Sequence, residues 1–265
     1  LVNVVDLVEF KAVLAHEFGH FAQRSVGLGS YLYVANRVMD DLINRRDGLD
    51  RFVDAWASVD IRVSFPAWGL KGLLWAVRGG LTGIYRGLNL LHLSLSREME
   101  FNADRVAVSV AGSDAIVHAL CRLPFASECL QDAGASLDAA ADHGLFSDDV
   151  YLHQTLSAAR LRKLKKDERL GLPPESTDRP GSVTVFKPED DGIPERYRSH
   201  PTDHAREVSA KQHYVPGPSD GRSPWLLFDD AAALKQRASE SFYRDFLNRT
   251  EPYKPVPAGE VQKFV

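Results

Sequence analysis

Two histidines and a glutamate stand together near the start of the chain as His16-Glu17-Phe18-Gly19-His20. Residues four apart lie one turn apart on a helix, so both imidazoles can reach one metal ion while Glu17 flanks it. That is the spacing of a helix that holds zinc for hydrolysis. The competing reading, two histidines that cap or fill a core, turns on whether a third ligand exists elsewhere in the chain.

Gln23 and Val26 occupy the positions where a metzincin carries glycine and a further histidine, which excludes that solution. A carboxylate from a later helix is the other solution. The stretch Ser96-Arg97-Glu98-Met99-Glu100-Phe101-Asn102-Ala103-Asp104 supplies one. Glu100 and Asp104 lie one turn apart, which suits a ligand and a second carboxylate that orients a ligating histidine from behind. Glu98 points roughly the opposite way. A solvated helix face is the ordinary alternative for such a pair, and the two histidines upstream weigh against it.

With these residues in hand the chain resembles the HtpX and CAAX prenyl protease family of gluzincin metallopeptidases. In that family a His-Glu-x-x-His helix is completed by the glutamate of a Ser-Arg-x-x-Glu-(Phe/Tyr)-x-Ala-Asp segment. Ser199-His200-Pro201-Thr202-Asp203-His204-Ala205-Arg206 is similar to the family's later His-Pro segment, with its arginine six residues after the histidine. The resemblance implies one Zn2+ per chain held by His16, His20 and Glu100, with Glu17 as general base and Asp104 behind a histidine ligand. It implies endopeptidase activity on proteins or peptides. His200 or Arg206 would stabilise the developing oxyanion. The alternative for His200 is that Pro201 starts a helix which His200 caps.

These residues need elements to position them. Asp6 and Glu9 have the spacing of a capping pair, and Leu7, Phe10, Leu14, Phe18 and Phe21 recur at steps of three and four. The expectation is that this apolar stripe buries the helix and leaves His16 and His20, about 40° apart on the opposite side, facing a cleft. Ala12, Ala15, Gly19 and Ala22 form a small flank where another helix could approach. Gly27 to Ser30 reads as a stop and new cap, followed by helical stretches over 31–46 and 49–59.

Residues 66–96 are rich in Trp and Leu, but Lys71, Arg78 and Arg86 interrupt every window, so no uncharged run long enough to span a membrane exists. The segment reads either as a long helix that packs on the catalytic helix and delivers Glu100, or as an interfacial helix with a basic stripe. Further on, the pattern predicts a helix from Ser113 that Pro124 breaks or ends, a helix over 126–141, and one over 148–166 with a basic C-terminal end. Residues 169–198 read as a long loop that brings His200 towards the site. His204 is rejected as part of a second metal site, and Tyr214 is a weak candidate for oxyanion contact. Trp225 to Phe228 reads as strand or buried coil, 231–247 as a closing helix with Leu234, Phe242, Tyr243 and Phe246 inward, and the tail from Glu251 as extended.

The expected fold is mainly α, a zincin-like helical metallopeptidase domain with little β structure. Residues 1–215 would form the catalytic domain and 216–265 a C-terminal extension. The chain opens on Leu1, and the resemblance implies residues ahead of the zinc helix, including a strand that lines the cleft. The expectation is therefore a fragment lacking that N-terminal part and any membrane spans there. At 265 residues and 44% hydrophobic, the chain is long enough for a full core. Its net charge of -4 offers no footprint for nucleic acid. Cys121 and Cys129 are too few for a disulfide framework. Substrate polypeptide and a membrane surface are the expected partners, at the cytoplasmic face of an inner membrane of bacterial type. The rival is a non-catalytic helical module that keeps zinc for structure or binds a membrane surface, and Glu17 argues against it, since a structural site has no use for a general base.

Overall fold

The computed structural model describes residues 1–24, 34, 37–38, 51, 55–56, 61–174, 181–189 and 192–265. The stop at 27–30 and the helices expected over 31–46 and 49–59 fall almost wholly outside the described residues. Helix α1 is Leu7–Arg24, α2 is Ile61–Ala111, α3 is Ser113–Ala141, α4 is Val150–Lys165, α5 is Asp203–Lys211, α6 is Ala231–Ser241 and α7 is Ala258–Phe264. Strands β1 (Phe146–Ser147) and β2 (Pro255–Val256) pair in parallel, Phe146 opposite Pro255 and Ser147 opposite Val256. The fold is mainly α, as expected, with this small sheet as the β structure among the described residues.

Contacts divide the chain into two compact units. The first comprises Leu1–Gly19, Ala103–Glu189 and Asp203–Val265, and the second His20–Asn102 and Asp190–Thr202. The division passes through α1 and α2, each of which is one continuous helix.

In the first unit α1 begins on a reciprocal cap. Glu9 N donates to Asp6 Oδ1 at 2.8 Å, and Asp6 N donates to Glu9 Oε2 at 2.9 Å. Its buried residues Val8, Ala12 and Ala15 join Ala107, Val108 and Ala111 of α2 and Ile116 and Val117 of α3 in one cluster. The expected stripe does not bury the helix. Phe10 is buried, but Leu14, Phe18 and Phe21 are 42%, 69% and 75% exposed. Of the small flank, Ala12, Ala15 and Gly19 are buried instead and Ala22 is exposed; the buried part permits close approach, since a Cβ on Gly19 would lie 2.9 Å from Ala103 Cα. His16, beside that flank, is carried inward and is itself buried.

Pro124 neither ends nor divides α3, which runs on through it to Ala141. Ala119, Phe125 and Ala126 around the proline are buried, and that packing holds the helix across the missing N–H. Asp149 caps α4 by accepting from Tyr151 N and Leu152 N. A second core joins Leu137, Ala140, Ala141, Val150, Tyr243 and Val261. The tail is therefore not simply extended. It folds as β2 and α7, and Asp148 Oδ1 caps α7 by accepting from Ala258 N at 2.8 Å. Residues 224–227 form a 3-10 turn with Leu226 and Leu227 exposed, and the closing helix gives way after Ser241 to a π-helical turn, Phe242–Phe246, in which Tyr243 is buried and Phe246 exposed.

The second unit is organised on α2, which spans 51 residues and therefore about 76 Å at 1.5 Å per residue. The Ser96–Asp104 motif and the ambiguous stretch before it are parts of this one helix, which delivers Glu100 as the long-helix reading had it. Trp68, Leu73, Trp75, Ile84 and Leu91 are exposed along it, so the packed alternative does not hold for those side chains. Near its other end Gln23 Nε2 donates to Met99 O, and Arg97 Nη1 donates to Arg198 O at 2.8 Å.

Candidate metal centre

The geometry is built from two helices. His16 and His20 share one face of α1 because they are one turn apart, and Glu100 and Asp104 share one face of α2 for the same reason. In the first unit His16 Nδ1 lies 2.9 Å from Asp104 Oδ1. Arg206, on α5, donates from Nε to Asp104 Oδ2 at 2.8 Å and from Nη2 to Oδ1 at 2.7 Å. This is the two-pronged guanidinium–carboxylate fit, and Asp104 is only 1% exposed. Burial works against its ionisation, but the bonds and charges of Arg206 and His16 outweigh burial and hold its pKa below the ordinary carboxylate value.

In the second unit Glu100 Oε1 lies 3.6 Å from His20 Nε2 and 3.1 Å from His200 Nδ1. His20, Glu100 and His16 each offer one donor atom, and the three atoms lie within 4.8 Å of one another. Two imidazoles and one carboxylate are the donor set of a catalytic zinc site, which keeps its fourth position for water. With Nδ1 of His16 directed at Asp104, Nε2 is the nitrogen left for a metal. Glu17 is exposed, next to His16 on the chain and beside His20 on the helix surface.

Other residues singled out from the sequence lie elsewhere. Arg206 is directed to Asp104, so its two donors described above are not offered to a substrate oxygen. His200 does not cap α5, which starts at Asp203; it is exposed and contacts Glu100. Tyr214 donates to Asp114 Oδ2 at 2.7 Å, and burial together with that carboxylate pushes its pKa up to about 12. His204 Nδ1 is 2.9 Å from Phe186 O, and no second cluster with metal-ligand geometry occurs among the described residues.

Two supports were not legible beforehand. Arg97, inside the quoted Ser-Arg motif, bonds the backbone just ahead of His200. Glu207, only 2% exposed, accepts from Val185 N, Phe186 N and Lys211 Nζ, which pins residues 185–186 to α5. A glutamate directly after the motif arginine was the only sequence signal for the second.

No curated protein and no solved structure matches the chain significantly. The profile described as peptidase family M48 matches residues 1–212. Its members are metallopeptidases that act on proteins or peptides. With most of its length inside that match, and with histidine and carboxylate donors gathered on α1 and α2, the chain belongs to peptidase family M48, the family of HtpX and the CAAX prenyl proteases.

Proposed function

We propose that this chain is a zinc-dependent endopeptidase in which His16, His20 and Glu100 hold the metal. The observation that carries the reading is the convergence of those three donor atoms within 4.8 Å, with Glu17 adjoining them. Bound zinc supplies Lewis-acid polarisation of the scissile carbonyl and lowers the pKa of water at the site. The remaining work falls to side chains. Glu17 takes a proton from the attacking water and passes it to the leaving amine. Asp104 holds the Nδ1 proton of His16, fixing the tautomer that leaves Nε2 free to ligate, and Arg206 neutralises Asp104 and locks its plane. His200, exposed and beside Glu100, donates to the carbonyl oxygen as negative charge develops there.

The test is zinc content and peptidase activity on one preparation, beside Glu17→Gln. The variant is expected to keep stoichiometric zinc and lose activity by about 100-fold or more, the scale of a positioned acid–base group. No stoichiometric zinc at neutral pH in the unaltered chain, or full activity in the variant, would sink this mechanism, and zinc binding without activity in the unaltered chain would favour the non-catalytic module.

We further propose that the chain works at a membrane surface, at the cytoplasmic face of an inner membrane of bacterial type. Exposed Trp68, Leu73, Trp75, Ile84 and Leu91 on α2, with Lys71 Nζ 5.9 Å from the Trp68 ring, support surface contact. Among the described residues no single helix is long and apolar enough to cross a membrane. Flotation with anionic vesicles is expected to be reduced by changing Lys71, Arg78 and Arg86 to Glu; unchanged flotation would remove this part of the reading.

A further inference from the structure

A cavity of about 180 Å³ lies within the first unit, and none of the metal donors lines it. It is lined by the N-terminal segment, α3, α4 and the turn that follows α4. Its apolar walls are Val4, Phe125, Ala126, Ala158 and Leu172, and two arginines, Arg122 and Arg162, line it as well. The wall at Gly171 is closely built: its φ is +72°, and a Cβ there would lie 2.3 Å from the Phe125 ring.

Arg162 is the unusual member. The basic end of α4 invites explanation by the helix C-terminus alone, and that suffices for Lys163, Lys165 and Lys166, which are exposed. Arg160 is paired with Asp132, and Lys165 with Glu128 at 2.5 Å. Arg162 is turned inward and partly buried. Its Nε donates to Leu170 O at 3.0 Å, and its guanidinium lies 5.1 Å from the centre of the Phe125 ring. No carboxylate among the described residues pairs with it, and neither terminal amino group of its guanidinium donates to one of them. Arg122 answers Glu9 through Nε at 2.8 Å, which also leaves its two terminal amino groups without a described protein partner. A guanidinium withdrawn from water without a counter-ion is costly, and a carboxylate fits its fork on two prongs.

We propose that this cavity binds a small organic carboxylate, held by Arg162 with Arg122 beside it and with its apolar body against Phe125 and Leu172. The volume is below the roughly 300–1,000 Å³ of pockets for drug-sized ligands, so the ligand is compact. The apolar walls favour an organic acid over a bare inorganic anion. The site needs neither zinc nor peptidase activity, so it stands apart from the function proposed above.

The probe is benzoate, titrated into the full chain in low-chloride buffer and followed by saturation-transfer NMR. Benzamide serves as the uncharged match in shape, and inorganic phosphate as competitor. Saturable binding of benzoate is expected, with benzamide and the Arg162→Gln variant each weaker by about tenfold or more, the scale of a hydrogen bond to a charged group. Arg162→Lys, which keeps charge but loses the fork, should fall between. Ala158→Phe, which fills the cavity, should abolish binding while the melting temperature shows a folded chain, and it carries the test if Arg162→Gln fails to fold. Benzamide binding as well as benzoate, affinity unchanged in both Arg162→Gln and Ala158→Phe, no binding at all, or phosphate displacing benzoate with equal affinity would each overturn the assignment.

Discussion

Replacing Asp104 by Asn keeps the shape of the side chain and removes its charge, so the variant separates two effects. His16 Nδ1 and Arg206 Nη2 both approach Asp104 Oδ1, so the amide oxygen settles there and serves both, while the amide nitrogen is left facing Arg206 Nε, a donor. The imidazole therefore keeps its proton on Nδ1 and Nε2 stays available to metal, but the partner has lost its charge. Loss of an outer partner to a ligating histidine weakens metal binding by about 10- to 100-fold, or about 1.4–2.7 kcal/mol, and because the amide keeps the tautomer and loses only the charge, this variant sits at the lower end. Separately, the Arg206 guanidinium, whose side chain is 14% exposed, loses its counter-ion. Breaking a buried pair costs about 3–5 kcal/mol, and the retained amide oxygen should hold the loss near 3 kcal/mol. Zinc affinity is read by competition with a chelator of known affinity, and stability by denaturant unfolding of the metal-free chain. In a double-mutant cycle with Arg206→Met, the arginine should add little to the zinc defect once Asp104 is gone, because it acts through that carboxylate. Zinc affinity within twofold of the unaltered chain in Asp104→Asn, or an undiminished effect of Arg206→Met in its background, would refute the reasoning.

Two further expectations follow from packing and protonation. Gly19→Ala places a methyl 2.9 Å from Ala103 Cα, roughly 0.6–1.1 Å inside normal carbon contact. The overpacking cost of about 1–3 kcal/mol should exceed the gain of about 1 kcal/mol in helix propensity, giving a lower melting temperature and weaker zinc binding; an unchanged melt and zinc affinity would contradict the close approach. His153, only 3% exposed with Nε2 2.9 Å from Ser147 Oγ, has its pKa lowered by burial, which outweighs Gln262 and the nearby Asp149 and Asp148; burial also lowers that of His118. A histidine depressed in the folded chain binds its proton more readily when unfolded, so stability falls as pH drops below about 6.5, by up to about 2.7 kcal/mol per pH unit for the two together. His153→Gln should roughly halve that slope in urea titrations of the metal-free chain between about pH 7 and pH 5.5, and an unaltered slope would rule the residue out.

Much of the site was legible because its logic is local. His16, Glu17 and His20 need only a helix to share a face, and the same holds for Glu100 with Asp104. The Asp6–Glu9 cap likewise depends on residues three positions apart. Reading failed where two segments compete for the same surface. The stripe of Phe18 and Phe21 is more apolar than Ala12, Ala15 and Gly19, yet the small face is the buried one, since backbone approach at Gly19 and Ala103 is something no single helix displays. Pro124 reads as a breaker, and α3 persists because Phe125 and Ala126 are packed around it. The tail after Glu251 lacks a long apolar pattern, and its order comes from Val261 inserting beside Tyr243 and from Asp148 capping α7 across more than a hundred residues.

The chain by itself therefore determined the donor types, their helical spacing, the mainly α class and the family to which these motifs point. Tertiary structure decided which donor atoms converge, that Arg206 bonds Asp104, that His200 meets Glu100, and which face of α1 is buried. The physical reason is range. Helical phase and capping are set by neighbours within a turn, whereas an ion pair such as Arg206 with Asp104 joins residues 102 positions apart, and nothing local records that encounter.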